Sequence, residues 1–169
     1  KNKMDLIMCS THGFSGEKRW SLGNIANKVV HAAKVPVWVV PSELKEEIIH
    51  GLATTRNMVI PLDGSKAAEA VIPHALTVAR QRGAETTITL LHVFSHDHYY
   101  FTPTDVKKDI EERNEIKKYM EKITKKVGES GIPTKYEILD GEPAEKIIEY
   151  VKDHPTQLMA IATQGRSGL

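Results

Sequence analysis

Apolar residues along this chain follow two alternating patterns, which together predict parallel strands separated by helices. Short, nearly continuous apolar runs are typical of strands buried on both faces, and they cover residues 5–10, 35–41, 58–65, 87–94, 135–139 and 158–163. Elsewhere apolar residues recur every three or four positions, as on one face of a helix, in the segments 22–33, 66–82, 103–127 and 143–153. This alternation predicts a doubly wound α/β fold with helices on both faces of a parallel sheet.

Caps and helix breakers mark where the predicted helices begin and end. Ser65 has a suitable side chain for the N-cap of the helix 66–82, and Gly83 is expected to end that helix. Pro73 lies inside it and is expected to kink it. The predicted core-facing positions of the two later helices are Ile116, Met120, Ile123 and Val127 in the first, and Ile147, Ile148 and Val151 in the second.

The last apolar strand and the turn after it repeat the first ones, so that Leu158 and Gly165 correspond to Leu6 and Gly13. Self-similarity over the length of a domain indicates duplicated units. The predicted boundaries are a strand–helix–strand part of a first unit in residues 1–42, a linker in 43–56, and a second unit without its last helix and strand in 57–169. Two interpretations stay open: the chain belongs to a longer tandem protein, or residues 1–42 complete the second unit as in a circular permutant.

Composition narrows the class of protein. Hydrophobic residues make up 40% and charged residues 27% of 169 residues, which is typical of a globular domain. The formal net charge of +1 gives no reason to expect nucleic acid or an anionic membrane as a partner. The apolar runs have the length of strands and are far shorter than a membrane span. A single cysteine, Cys9, excludes an intrachain disulfide and favours a reducing compartment, so we expect a cytoplasmic protein.

A glycine-containing turn between the first strand and the first helix has the features of a phosphate-binding loop. Gly13 follows the strand, and Gly23 precedes the helix near Asn24. Glycines let the backbone approach an anion closely, and the first N–H groups of a helix attract it. The segment is not a Walker A loop, because no Gly-Lys-Ser/Thr closes it. The alternative is an ordinary strand–helix connection that happens to contain glycines.

At these residues the chain resembles the universal stress protein family. The nucleotide loop of that family reads Gly, two residues, Gly, nine residues, Gly, then Ser or Thr. In this chain the same register falls on Ser10, Gly13, Gly23 and Asn24. Ser10 therefore replaces a glycine and Asn24 replaces the hydroxyl residue, while the two other positions match. The resemblance also covers nearly all of residues 53–169.

The resemblance implies a five-stranded parallel sheet of order 3-2-1-4-5, as in the adenine nucleotide alpha-hydrolases, and a site for ATP, or AMP or ADP, with or without Mg²⁺. The family's Pro-x-Asp motif is matched by Pro61-Leu62-Asp63, which implies that the aspartate lies near the adenosine end of the ligand. Val93 matches a valine that lies against adenine. The implied binding residues are Pro61, Leu62, Asp63, Val93, Ile161, Ala162, Gly165, Gly168, Ser10, Gly13, Gly23, Asn24 and Ile25.

The strand 35–41 has a proline near each end, which suits the edge of a sheet because proline cannot donate to a ladder. An apolar edge with a tryptophan is prone to aggregation unless another strand covers it. Family members that resemble this chain associate through this strand. The sequence therefore predicts a homodimer, or pairing of tandem domains, through Val37–Val40.

The leading hypothesis is a sensor or adaptor of the stress response that binds an adenine nucleotide. Two alternatives are a dimerisation scaffold without nucleotide binding, and a weak ATP hydrolase or another enzyme of the related superfamily. Catalysis is not predicted, because no Ser-His-Asp order or acid–base pair stands out. His96-Asp97-His98 has metal-binding side chains, but two close ligands on a loop are more typical of ordinary polar surface.

Overall fold

The computed structural model describes residues 4–11, 22–42, 56–83, 85–95 and 103–163. Within the chain, two compact units are distinguished, Lys1–Gly51 and Leu52–Leu169. Each unit contains its own parallel sheet. The two units are therefore described separately.

The first unit contains a strand, a helix and a second strand, as the apolar pattern predicts. These elements are β1 (Ile7–Ser10), α1 (Asn24–Ala32) and β2 (Val37–Val40). The two strands pair in parallel, from Ile7 opposite Val37 to Ser10 opposite Val40. Parallel neighbours need a crossover connection, and α1 lies in it. Gly23 is the N-cap of α1, and Ala26 is the buried residue of that helix.

The second unit alternates strands and helices around a parallel sheet. Its elements are β3 (Asn57–Pro61), α2 (Lys66–Glu69), α3 (Ile72–Arg82), β4 (Thr87–Phe94), α4 (Pro103–Gly128), β5 (Thr134–Asp140), α5 (Pro143–Asp153) and β6 (Leu158–Met159). The strands lie in the order β5-β4-β3-β6. If the strands are renumbered from one to four along the second unit, beginning with β3, this is the order 3-2-1-4. A fifth strand is not found in this sheet among the residues described, so the five-stranded order stays a prediction.

Each face of this sheet carries its own apolar cluster, because neighbouring side chains on a strand point to opposite faces. On one face, Ile60 and Leu90 pack with Met120, Ile123 and Val127 of α4 and with α2 and α3. On the other face, a smaller cluster joins the strands to α5. Its members are Val59, Leu91, Tyr150, Leu139 and Ile147. The predicted doubly wound arrangement, with helices on both faces, is confirmed.

The segment predicted as one kinked helix, 66–82, is two helices instead. Helix α2 ends at Glu69 and α3 begins at Ile72. Pro73 lies in the first turn of α3, where its missing N–H costs nothing. In a continuous helix its ring would clash with the carbonyl of Glu69, four residues earlier. The predicted kink is therefore a two-residue interruption before Pro73, in which Ala70 and Val71 keep right-handed helical dihedral angles.

Two further differences concern the C-terminal part of the second unit. Ile148, predicted to face the core, is 47% exposed, and Tyr150 of the same helix is buried in its place. The apolar face of α5 is thus centred on Ile147 and Tyr150, three positions apart. The last strand is also shorter than the predicted 158–163, since only Leu158–Met159 forms the ladder. This strand lies beside β3, while Val37–Val40 pairs with β1.

Candidate functional site

A cleft of about 170 Å³ opens at the carboxyl edge of the second unit's sheet. It lies among the residues that follow β3 and β6, the last residues of β4, and the first turns of α5. The lining residues are Pro61, Leu62, Asp63, Ala68, Leu91, Val93, Pro143, Ile147, Ile161 and Ala162. Asp63 is the one residue among them with an ionisable side chain, so the cleft is an apolar slot with a carboxylate at one side.

The position of the cleft follows from the strand order. From β3 the chain proceeds to β4 and β5 on one side of the sheet, and then returns to place β6 on the other side. The connections on either side of β3 therefore lead to opposite faces, which leaves a crevice at the carboxyl ends of β3 and β6. Ligands of open α/β sheets bind at such switch points. Residues 61–63 and 161–162 line the cleft from these two strand ends.

The loop after β3 is held by a short series of hydrogen bonds. The N–H of Ser65 donates to Oδ1 of Asp63 at 2.8 Å, and Oγ of Ser65 accepts from the N–H of Ala68 at 3.0 Å. Ser65 is thereby confirmed as the N-cap of α2. Gly64 has a backbone φ angle of 85°, which residues with a Cβ atom rarely adopt. These constraints fix the half-buried Asp63 carboxylate at the rim of the cleft.

The phenol of Tyr119, a half-buried residue of α4, is also influenced by the charge of Asp63. The pKa of Tyr119 is raised above its ordinary value, first by burial of the ring and then by the charges of Glu69 and Asp63. Burial and neighbouring anions both disfavour a phenolate, so Tyr119 stays neutral at physiological pH. Among the residues that line the cleft, the Asp63 carboxylate is therefore the one ionisable group.

Six of the predicted site residues line this one cleft. They come from three separate segments and are Pro61, Leu62, Asp63, Val93, Ile161 and Ala162. Four further lining residues were not predicted as site residues from the sequence: Ala68, Leu91, Pro143 and Ile147. Two of these have a signal in the sequence: Leu91 shares a strand face with Val93, and Ile147 lies on the predicted core-facing side of its helix.

The other predicted site residues fall in the first unit or outside the described residues. Ser10 ends β1, Gly23 caps α1 and Asn24 begins it. The side chain of Ile25 is 82% exposed. The N–H of Gly23 donates to the carbonyl of Thr11 at 2.8 Å, so the two ends of the predicted phosphate loop lie together. Gly13, Gly165 and Gly168 lie outside the described residues, as does His96-Asp97-His98.

The part of the chain that the structure describes contains no group of three or more His, Cys, Asp or Glu side chains placed to hold a metal ion. None of the helices described is both long and apolar enough to cross a membrane.

One buried polar residue that contacts the loop after β3 was not expected from the sequence. Nδ1 of His92 lies 2.8 Å from the carbonyl oxygen of Leu62, and the histidine is 5% exposed. A hydrogen bond between positions 30 residues apart has no local signature in the sequence. His92 therefore could be recognised only from the folded structure.

Comparison with known proteins gives a consistent result. A model of the universal stress protein family matches residues 1–41 and 54–169. Universal stress protein MJ0531 of Methanocaldococcus jannaschii is 26% identical over 129 residues, which are 75% of each chain. Universal stress protein YxiE of Bacillus subtilis is 27% identical over 124 residues, 66% of this chain and 81% of that protein.

A solved structure has a similar fold. Universal stress protein UspA from Lactobacillus plantarum superposes with a TM-score of 0.56 at 27% identity, over 66% of this chain and 79% of that chain. The family match covers both units, including the cleft-lining segments 61–63, 91–93 and 161–162. The chain belongs to the universal stress protein family.

Proposed function

We propose that the cleft of the second unit binds an adenine nucleotide, with ATP as the principal ligand. The observation that carries this proposal is the convergence of three sequence segments, each assigned to the nucleotide site in advance, on one cleft at the switch point of the sheet. An apolar slot with a single carboxylate suits a flat base and a ribose whose hydroxyl groups donate hydrogen bonds.

In this proposal, different lining residues contact different parts of the ligand. Val93, Leu91 and Ile147 provide apolar contacts for the base, and the Asp63 carboxylate accepts from the ribose hydroxyls. Ile161 and Ala162 lead toward Gly165 and Gly168, which the family resemblance assigns to the phosphates. Mg²⁺ would then be held chiefly by the phosphates, as is usual for nucleotide-bound Mg²⁺.

The proposed cellular role is that of a sensor or adaptor whose state follows the nucleotide supply. A cytoplasmic location is part of the proposal, since the single cysteine suits a reducing compartment. A dimerisation scaffold would bind no nucleotide, and a hydrolase would release phosphate from ATP. Mass spectrometry of nucleotide released from the purified, denatured protein, together with a phosphate-release assay, separates these three roles.

Substitution of Asp63 tests the site directly. Asp63→Ala is expected to weaken ATP binding at least tenfold, because a hydrogen bond to a charged group contributes roughly 1.5–3 kcal/mol. Asp63→Asn keeps an oxygen that can accept from Ser65 but removes the charge, so it should fall between Asp63→Ala and the unmutated protein. Isothermal titration calorimetry with ATP measures all three proteins.

Asp153→Ala is the matched control, because it removes an exposed carboxylate at the C-terminus of α5 that does not line the cleft. It should bind ATP as the unmutated protein does. An unmutated protein that shows no heat of binding and no rise in melting temperature with millimolar ATP would contradict the proposed function.

We also propose that copies or tandem domains of this protein associate through β2. Val37–Val40 is half-buried along its whole length and pairs with β1 on one side among the residues described. A strand with one side still able to pair recruits another strand unless charges or prolines within it prevent this, and Val37–Val40 contains neither, because the two prolines lie just outside it. Trp38 provides a large apolar contact for such pairing.

Trp38→Lys is expected to shift the protein toward the monomer, because a lysine on an edge strand opposes pairing. Light scattering after size-exclusion chromatography, over a range of concentrations, measures this shift. Ile25→Lys changes a residue that is 82% exposed in the same unit and serves as the control. Equal masses for the unmutated protein and both variants would reject association through β2.

A further inference from the structure

We propose that His92 is a positioning residue for the nucleotide site, holding the loop that presents Asp63 to the cleft. This inference rests on the proposed function of the cleft. His92 acts through the backbone of Leu62 and does not touch the ligand itself. Its role differs from those of Asp63 and Val93, which line the cleft.

The direction of the hydrogen bond follows from its partner. Nδ1 of His92 lies 2.8 Å from the carbonyl oxygen of Leu62. A carbonyl oxygen only accepts, so Nδ1 carries the proton and donates it. The N–H of Leu62 donates to the carbonyl of Leu91, also at 2.8 Å. Both backbone polar groups of Leu62 are thus bound to consecutive residues of β4.

His92 lies on the opposite face of the sheet from the cleft. Leu91 and Val93 line the cleft, and successive side chains of a strand point to opposite faces. Leu90, two positions before His92, belongs to the core cluster that packs with α4. The imidazole, at 5% exposure, is therefore buried on the α4 side. From there it reaches the end of β3 and contributes to the site only through the loop.

The loop transmits this constraint to the carboxylate. Asp63 follows the fixed Leu62 peptide, and its Oδ1 accepts from the N–H of Ser65. Ser65 in turn caps α2 through Ala68, which itself lines the cleft. Without the imidazole donor, the Leu62 carbonyl would be left unsatisfied in a buried position, which is costly. Turning that carbonyl toward water rotates the peptide that joins Leu62 to Asp63, and so displaces the carboxylate.

Two substitutions distinguish the effect of losing the hydrogen-bond donor of His92 from the effect of losing the volume of its ring. His92→Phe keeps a planar ring and removes the donor, whereas His92→Asn provides an amide N–H near the position of Nδ1 in a smaller side chain. We expect His92→Phe to weaken ATP binding at least tenfold by calorimetry. His92→Asn should bind within threefold of the unmutated protein, although its smaller side chain lowers the melting temperature. A loss of affinity in His92→Phe that His92→Asn restores, although both variants have lower melting temperatures than the unmutated protein, would not arise from a merely structural role.

A measurement without nucleotide keeps the two proposals distinguishable. Hydrogen exchange of the amides in residues 62–68 should be faster in His92→Phe than in the unmutated protein, and restored in His92→Asn. If the unmutated protein does not bind ATP, the proposed function fails, while this exchange pattern still decides whether His92 holds the loop. Equal exchange in all three proteins, or equal losses of affinity in both variants, would overturn the inference.

A third measurement needs no variant, in case His92→Phe does not fold. Nitrogen-15 NMR of the unmutated protein reports the tautomer of His92. A proton on Nδ1, hydrogen-bonded to Leu62, is expected. An imidazole with an unprotonated Nδ1 would overturn the inference.

Discussion

Leu90→Ala is expected to lower the free energy of unfolding of the second unit by about 3 kcal/mol, within the range for a leucine removed from a rigid core. Leu90 is 0% exposed in the middle of β4, between Ile60 of β3 and Tyr136 of β5. Its side chain belongs to the cluster that includes Met120 of α4. Because strands on both sides and a helix above hold this position, the cavity left by alanine cannot collapse easily.

Urea unfolding followed by far-UV circular dichroism measures this change. Hydrogen exchange of the β4 amides assigns it to the second unit, whose residues include no tryptophan that could report unfolding by fluorescence. Ile110→Ala is the matched control, because Ile110 lies on α4 and is 53% exposed. That variant should change the free energy of unfolding by less than about 0.5 kcal/mol. Similar losses in both variants would show that β4 is not the centre of the core.

The strands of the second unit could be predicted closely where both faces are buried. The apolar run Thr87–Phe94 has the same bounds in the sequence prediction and in the structure. Covered on both faces, such a strand needs apolar residues at almost every position, so the pattern itself marks its ends. At the edge of the sheet this argument weakens, and β6 is only Leu158–Met159 where a longer strand was expected.

The helix faces were less predictable, because the period of a helix leaves its orientation open by about one residue. Ile147, Ile148 and Val151 form a plausible stripe on α5, but the structure buries Tyr150 and exposes Ile148. Tyrosine carries a polar hydroxyl, so a sequence gives little reason to prefer it over isoleucine for a core position. Packing against Val59 and Leu91 decides the orientation.

The candidate site, too, could be predicted from the sequence only in part. Pro61 to Asp63, Val93 and Ile161 to Ala162 could be assigned because the family resemblance gives each segment a motif. No sequence motif predicts the contacts between residues that are distant along the chain. The bond from His92 to Leu62 is one example. Arg113 is another: it donates to Asp140 at 2.7 Å, and its guanidinium lies 4.4 Å from the centroid of the Phe94 ring. These pairings arise only when β4, β5 and α4 are assembled.

Val93→Trp is expected to reduce ATP affinity about a hundredfold, a loss of about 2.7 kcal/mol, while the fold is retained. Val93 is half-buried near the carboxyl end of β4 and lines the cleft. An indole at this position extends into open space and occupies the slot proposed for the base, so it competes with the ligand without overpacking the core. With a cleft volume of only about 170 Å³, little room would remain for a purine. Calorimetry with ATP and a melting curve measure the two effects separately.

Val106→Trp makes the same change on α4 at a position that is 47% exposed and does not line the cleft. Its affinity for ATP should equal that of the unmutated protein, which excludes a general effect of an added tryptophan. Unchanged affinity in Val93→Trp, with binding intact in the unmutated protein, would place the nucleotide elsewhere on the chain. Since Asp63 follows β3 and Val93 lies on β4, loss of affinity in both of their variants would locate the ligand in the cleft more firmly than either result alone.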